Sequence, residues 1–264
     1  MRVALAFVAA IVAAIAAAPA SPAAEHELAP IGTLRATFIA TNPVQAVIDP
    51  TSGEARGPAA ELARELARRL GVPVRISGAQ GVPGVIESVK NGQADIGFVA
   101  FDPVRAAEVD FSQPYALAQN TYVVLDSSPL RSVNEVDRAG ARIGVATRDA
   151  GDLFLTRNLK AAELVRNPGG NLDVAVAKLK AGEIDAYAAN RQRLSELVAR
   201  VPGLRLLPDN FYGVEQAIIV TKGHPGRTAI DRFLDEARAS GLIAGAIARA
   251  GLVGVDVAPP REAR

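Results

Sequence analysis

Val89-Lys90-Asn91-Gly92-Gln93-Ala94-Asp95 is matched further along the chain by Leu179-Lys180-Ala181-Gly182-Glu183-Ile184-Asp185. Each run reads as the last turn of a helix, a stop, an acidic residue and the approach to an apolar strand. A lysine stands where the negative end of the helix dipole favours a cation, and a glycine where the backbone must turn left-handed to leave the helix. Helix followed by strand, written twice, is the pattern of α/β proteins with mostly parallel sheets and suggests two similar lobes. The strand after each aspartate should end near Ala100 in the first unit and near Asn190 in the second. Ligands of open parallel sheets sit outside the carboxyl ends of the strands, so these two residues are expected to face a shared cleft if the lobes oppose each other.

The same alternation extends outward from both units. Pro58 to Leu70 reads as a helix: Pro58 suits its first position, Leu62, Leu66 and Leu70 recur on one face, and Gly71 can take the left-handed stop. Further helices are expected near Gly84, near Gly151, near Leu172, after Asn190 and after Gly226, the last burying Ile230, Phe233, Leu234 and Ala237. Strands are expected over Leu34 to Ala40, Ile96 to Phe101, Thr121 to Leu125, Ile143 to Ala146, Ile184 to Ala188 and Ala217 to Thr221.

The amino terminus reads as an address. Arg2 precedes an unbroken apolar run from Val3 to Ala18, the form of a secretory signal peptide, here assigned to residues 1–24. The run is shorter than the roughly 20 residues a membrane-spanning helix needs. Ala18-Pro19-Ala20 and Ser21-Pro22-Ala23 place cleavage after Ala20 or Ala23. What remains, about 240 residues, is enough for two lobes that each bury a core. With 29 basic and 28 acidic residues the chain is close to neutral, which speaks against nucleic acid as a partner. It has no cysteine, hence no disulfide, no thiolate zinc site and no lipid-anchoring thiol. His26 and His224 are too far apart in sequence to suggest a ligand pair, and no metal or cofactor is expected.

Four stretches carry a resemblance: Gly32–Thr37 (GTLRAT), Arg56–Val74 (RGPAAELARELARRLGVPV), Ala94–Tyr115 (ADIGFVAFDPVRAAEVDFSQPY) and Gly182–Asn190 (GEIDAYAAN). Through them the chain from Gly32 to Leu252 resembles the polar-amino-acid type of extracellular solute-binding protein, family 3, that feeds ABC importers. The resemblance implies the two-lobed type II fold of periplasmic binding proteins, each lobe a mostly parallel sheet flanked by helices, with the ligand cleft between them. It implies lobe 1 over residues 25–125, lobe 2 over 126–216 and a return to lobe 1 over 217–264, with crossings at Leu125 to Ser128 and Glu215 to Ala217. A small polar solute, amino-acid-like or a small carboxylate, would bridge the lobes, and permease subunits would read their closure. The protein is then expected to act as a periplasmic monomer.

The resemblance also assigns site residues. Arg105 corresponds to the arginine that grips the ligand carboxylate, a task suited to the planar guanidinium fork; as a residue, it could also pair on the surface with Asp102 or Glu108. Ala100 stands where the family usually has a hydroxyl, so that contact is missing. Phe98 stands where a small residue is common, and either narrows the pocket or turns into the core. Asn42 and Val82 fall near the family's aromatic clamp positions. In Thr147-Arg148-Asp149-Ala150-Gly151 the family offers a helix N-terminus; here Asp149 either caps that helix or lines the cleft, and Arg148 adds a second positive charge. Asn190 replaces the aspartate that holds the ligand ammonium, and also suits the N-cap of the following helix. An amide cannot neutralise a cation, which tilts the expected ligand away from α-amino acids.

A periplasmic enzyme on the same fold, resembling a cyclohexadienyl dehydratase, is the alternative, with Glu215 and Asp102 as candidate acids. No nucleophile elbow, zinc-protease helix or phosphate-cradling glycine loop supports an enzyme of another class. The chain ends at Arg264 with no membrane helix or signalling module after the lobes, which disfavours a receptor's sensory domain.

Overall fold

The computed structural model describes residues 27–260; the expected leader, its cleavage sites and His26 lie outside them. In the first lobe β1 (Leu34–Ile39) lies between β4 (Val74–Ala79) and β5 (Ile96–Ala100), all parallel. A short hairpin, β2 (Val47–Ile48) and β3 (Ala55–Arg56), precedes helix α1 (Pro58–Leu70), and α2 (Gly81–Lys90) connects β4 to β5. As expected, α1 has Pro58 in its first turn, buries Leu62 and Leu66, and stops at Gly71 with φ 69°. At its start Gly57 has φ 126°, and a Cβ there would lie 2.9 Å from the Ala46 backbone, so no other residue fits.

The second lobe repeats the plan. Strand β7 (Arg142–Ala146) lies between β8 (Glu163–Asn167) and β9 (Ala186–Asn190), again all parallel, with helices α3 (Ala150–Asn158), α4 (Leu172–Lys180) and α5 (Arg191–Arg200) between and after them. The repeated sequence runs have the same tertiary role in both lobes. Asp95 accepts from the Arg35 backbone N–H at 2.7 Å, and Gly92 O accepts from the Arg35 guanidinium at 2.5 Å. Asp185 accepts from the Arg142 backbone N–H at 2.8 Å, and Gly182 O accepts from the Arg142 guanidinium at 2.7 Å. Each run therefore clamps the first turn of a neighbouring strand.

Two long strands join the lobes: β6 (Val109–Leu125) and β11 (Tyr212–Thr221), which run antiparallel to each other. The order β4-β1-β5-β11-β6-β9-β7-β8 makes one mixed sheet, with β10 (Leu204–Leu206) and β12 (Val255–Val257) also on β6. Up to Asn120, β6 pairs with β11; from Asn120 to Val123 it pairs with β9. Of the segments expected to cross, Leu125 stands opposite Leu204 and Gln216 opposite Ala100. Helices α6 (Arg227–Ala239) and α7 (Leu242–Arg249) pack Ile230, Phe233, Leu234 and Ile243 into the first lobe's core with Leu62, Phe38 and Phe98. The second lobe has its own cores, one around Tyr122 and Ile143, another around Leu179, Tyr187 and Leu197.

Three expected strands change bounds. The one expected over Ala217–Thr221 begins earlier, at Tyr212. Thr121–Leu125 is only the end of β6, whose earlier part carries Pro114 at a register shift opposite Ala217; a proline is tolerated in a sheet where a bulge relieves it of a ladder bond. The strand expected over Ile184–Ala188 begins at Ala186, because the Asp185 clamp still belongs to the turn. Strands β4 and β8, which were not expected, stand at the two sheet edges, where short, polar strands carry a weak apolar signal.

Candidate ligand-binding cleft

A cleft of about 600 Å³ lies between the lobes. One wall is made by the ends of β1 and β5 and the first turn of α2; the other by the first turns of α3, α4 and α5. Asn120 of β6 and Gln216 of β11 lie where the walls meet. This follows from the topology: in both lobes the parallel strands end, and the succeeding helices begin, on the side facing the partner lobe. Residues from the first turns of α2, α3, α4 and α5 all line the cleft, so the positive ends of four helix dipoles bias it toward anions.

Arg105 follows β5 in a short 3-10 turn and is 6% exposed. Its Nη1 donates to Ala100 O at 2.8 Å and its Nη2 to Arg148 O, in the other lobe, at 3.3 Å. It forms no ion pair among the described residues. Burial pulls its pKa down, with Asp102, Asp149 and Tyr212 acting in the opposite sense. A buried guanidinium without a carboxylate partner is poised for an anionic guest.

Asp149 realises both of its readings. Its Oδ1 accepts from the Asp152 N–H at 2.7 Å as the N-cap of α3, and the residue lines the cleft. Desolvation pushes its carboxyl up to about 6, opposed by the Asp152 N–H bond and by the charges of Arg193 and Arg105. Asn190 is likewise both things: Oδ1 accepts from Arg193 N at 2.9 Å as the cap of α5, and the residue lines the cleft. Arg148 lines it too and holds φ 62°, the one positive φ outside glycine among the described residues. Its N–H donates to the buried carboxylate of Asp152 at 2.8 Å, which helps to hold that backbone.

Ala100, Asn42 and Val82 all face the cleft. Phe98 does not. It is 1% exposed in the first lobe's core, edge-on to Tyr115 at 5.9 Å; it shares a face of β5 with Ala100 but lies two residues short of the strand end that meets the cleft. The candidate acids Asp102 and Glu215 are also absent from the lining: Asp102 pairs with Arg157 at 3.1 Å, and Glu215 stands opposite Leu117 in the sheet. Among the described residues no aromatic side chain lines the cleft, and no cluster of three or more His, Asp or Glu side chains is placed to hold a metal ion.

Arg193, Asn120 and Gln216 were not anticipated. Gln216 is anchored by the fully buried Gln45, whose Nε2 donates to Gln216 Oε1 at 3.2 Å. Arg193 donates to Gly170 O at 3.1 Å and forms no ion pair among the described residues. Gly170 itself has φ 62°, and a Cβ there would lie 2.9 Å from that of Ala146. A signal for Arg193 existed: it stands three residues after a cap that faces the cleft, so it shares that end of α5. Asn120 and Gln216 carried none, since both sit inside strands that became cleft-forming only by crossing between lobes.

The family model of bacterial extracellular solute-binding proteins, family 3, matches residues 34–249. A probable histidine-binding protein of Campylobacter jejuni subsp. jejuni is 24% identical over 190 residues, 69% of this chain and 71% of that protein. Among solved structures, a mutant of ArgBP from T. maritima superposes with a TM-score of 0.67 at 25% identity, covering 86% of this chain and 99% of that one. The ancestral amino-acid-binding protein AncCDT-1, described as a precursor of cyclohexadienyl dehydratase, has a TM-score of 0.68 at 20% identity over 85% of this chain and 97% of its own.

Proposed function

The chain belongs to the bacterial extracellular solute-binding proteins, family 3, and from that membership we propose that it is the substrate-binding component of an ABC importer. It captures a small carboxylate in the cleft and closes its two lobes over it. The observation that carries this reading is Arg105, buried at the cleft wall and without an ion-pair partner among the described residues. A ligand held by Arg105 on one side and by the helix termini of the second lobe on the other touches both only when the lobes meet, so binding favours the closed form. We divide the lobes where β6 exchanges partners near Asn120 and where β11 begins to pair with it. Most of residues 25–125 and 217–264 thus form one lobe and most of 126–216 the other. The protein acts as a periplasmic monomer after loss of its leader, and hands its solute to permease subunits.

The relatives' names point to α-amino acids, but Ala100 and Asn190 depart from what an amino-acid pocket offers. A ligand ammonium would find Asp149 alone, a carboxyl that burial already inclines to keep its proton. That same group is the observation that favours the second reading, a dehydratase, since a buried acid titrating near neutrality can donate a proton. Binding is preferred because Asp149 is engaged as a helix cap. Incubation with prephenate and arogenate separates the two: aromatic product means enzyme.

The binding reading is tested by a thermal-shift screen against amino acids, organic acids and neutral solutes. A true ligand at a hundred times its dissociation constant adds roughly 2.7 kcal/mol and raises the melting temperature. If carboxylates raise it no more than neutral solutes do, the reading fails.

A further inference from the structure

Among the described residues, four arginines line the cleft, Arg105, Arg148, Arg193 and Arg200, against one carboxylate-bearing residue, Asp149. Only Arg200 has a carboxylate partner among the described residues, Asp173 at 3.8 Å. Arg105 belongs to the first lobe and Arg193 to the second, and the charge of Asp149 is felt by both. We infer that the cleft takes a short dicarboxylate, one carboxylate on Arg105 and the other on Arg193. This rests on the cleft being the solute site, as proposed above.

The argument is one of charge left over. Closing the lobes on a neutral solute would desolvate cations and give them nothing in return, and a monocarboxylate would satisfy Arg105 alone. An α-amino acid would add an ammonium to a site already rich in cations. A dianion neutralises a guanidinium on each wall and so links the lobes by charge as well as by contact. Two separate anionic centres suit cations that approach from opposite walls, and Ile39, Val82 and Leu172 offer apolar surface for the carbon chain between them.

The test is calorimetry on the full mature protein with malonate, succinate and glutarate set against butyrate, inorganic phosphate, L-arginine and L-histidine. A dicarboxylate should bind at least ten-fold more tightly than butyrate. Arg193→Gln should erase that preference, weakening the dicarboxylate ten-fold or more while leaving butyrate within two-fold, and Arg193→Lys should restore part of it. Asn190→Asp, which keeps the cap but sets a negative charge beside Arg193, should also weaken the dicarboxylate. Melting curves confirm that each variant is folded. Tighter binding of butyrate, phosphate or either amino acid, equal losses for mono- and dicarboxylate in Arg193→Gln, or no binding of any dicarboxylate would overturn the inference. The underlying site reading fails differently: there Arg105→Ala would leave every affinity unchanged.

Discussion

Asp102 and Arg157 form an ion pair between the lobes, Nη2 of Arg157 lying 3.1 Å from a carboxylate oxygen of Asp102. Asp102 follows β5 in the first lobe and its side chain is 4% exposed; Arg157 projects from α3 in the second and is 46% exposed. On the proposed closure the pair would exist only while the lobes are together, and so would favour the closed arrangement with or without ligand. Because the arginine is half in solvent, its contribution is about 1 kcal/mol.

Arg157→Ala should therefore weaken ligand binding about five-fold by lowering the closed population. It should also enlarge the radius of gyration of the ligand-free protein in solution scattering. Added salt should reproduce part of the effect in the wild type and none in the variant. An unchanged radius in both would show that the pair does not bias closure.

Arg105→Ala should abolish carboxylate binding, costing about 2–5 kcal/mol for a desolvated charge contact. Stability should hold or rise slightly, since the variant removes a buried cation that burial already disfavours. Calorimetry and a melting curve on the same sample read both effects.

Asp149 makes stability depend on pH in a direction opposite to that of most carboxylates. Its folded pKa, about 6, stands above the ordinary 3.8, so between those values the folded state holds a proton that the unfolded chain releases. The contribution is greatest at low pH and falls as pH rises through about 6. Asp149→Asn keeps a competent cap and removes the titration. Above that range it should be more stable than the wild type by on the order of 1 kcal/mol, with the gain vanishing in acid. Urea melts across the range decide it.

The two clamps should differ in strength. The Asp95 side chain is 4% exposed and accepts from the backbone and guanidinium of Arg35, whereas that of Asp185 is 37% exposed and its ion pair with Arg142 is longer, at 3.4 Å. Asp95→Ala should cost about 2–3 kcal/mol and Asp185→Ala about 1 kcal/mol in denaturant unfolding. Equal losses would mean that burial does not set the strength of these turns.

The repeated lysine, glycine and aspartate run announced two α/β units because those residues act locally: a left-handed stop, a dipole partner, a turn clamp. The same locality made the strand ends at Ala100 and Asn190 readable, and with them two points of the cleft. Phe98 could not be placed this way, since both faces of β5 are packed and the side on which Phe98 lies is filled by α1, α6 and α7, which are remote in sequence. Nor could β6 be read whole, because Pro114 breaks the strand pattern and only the bulge against β11 accommodates it.

By itself, then, the sequence determined the α/β architecture and, through a family likeness, singled out Arg105, since these depend on periodicity, turn chemistry and local motifs. Only the tertiary structure decided that Arg193 and Arg105 line one cleft, that Asp102 is drawn to Arg157 and away from it, and that Asp149 is the one acid there among the described residues. Those are outcomes of bringing two lobes face to face, and burial, charge balance and desolvation arise only between groups distant along the chain.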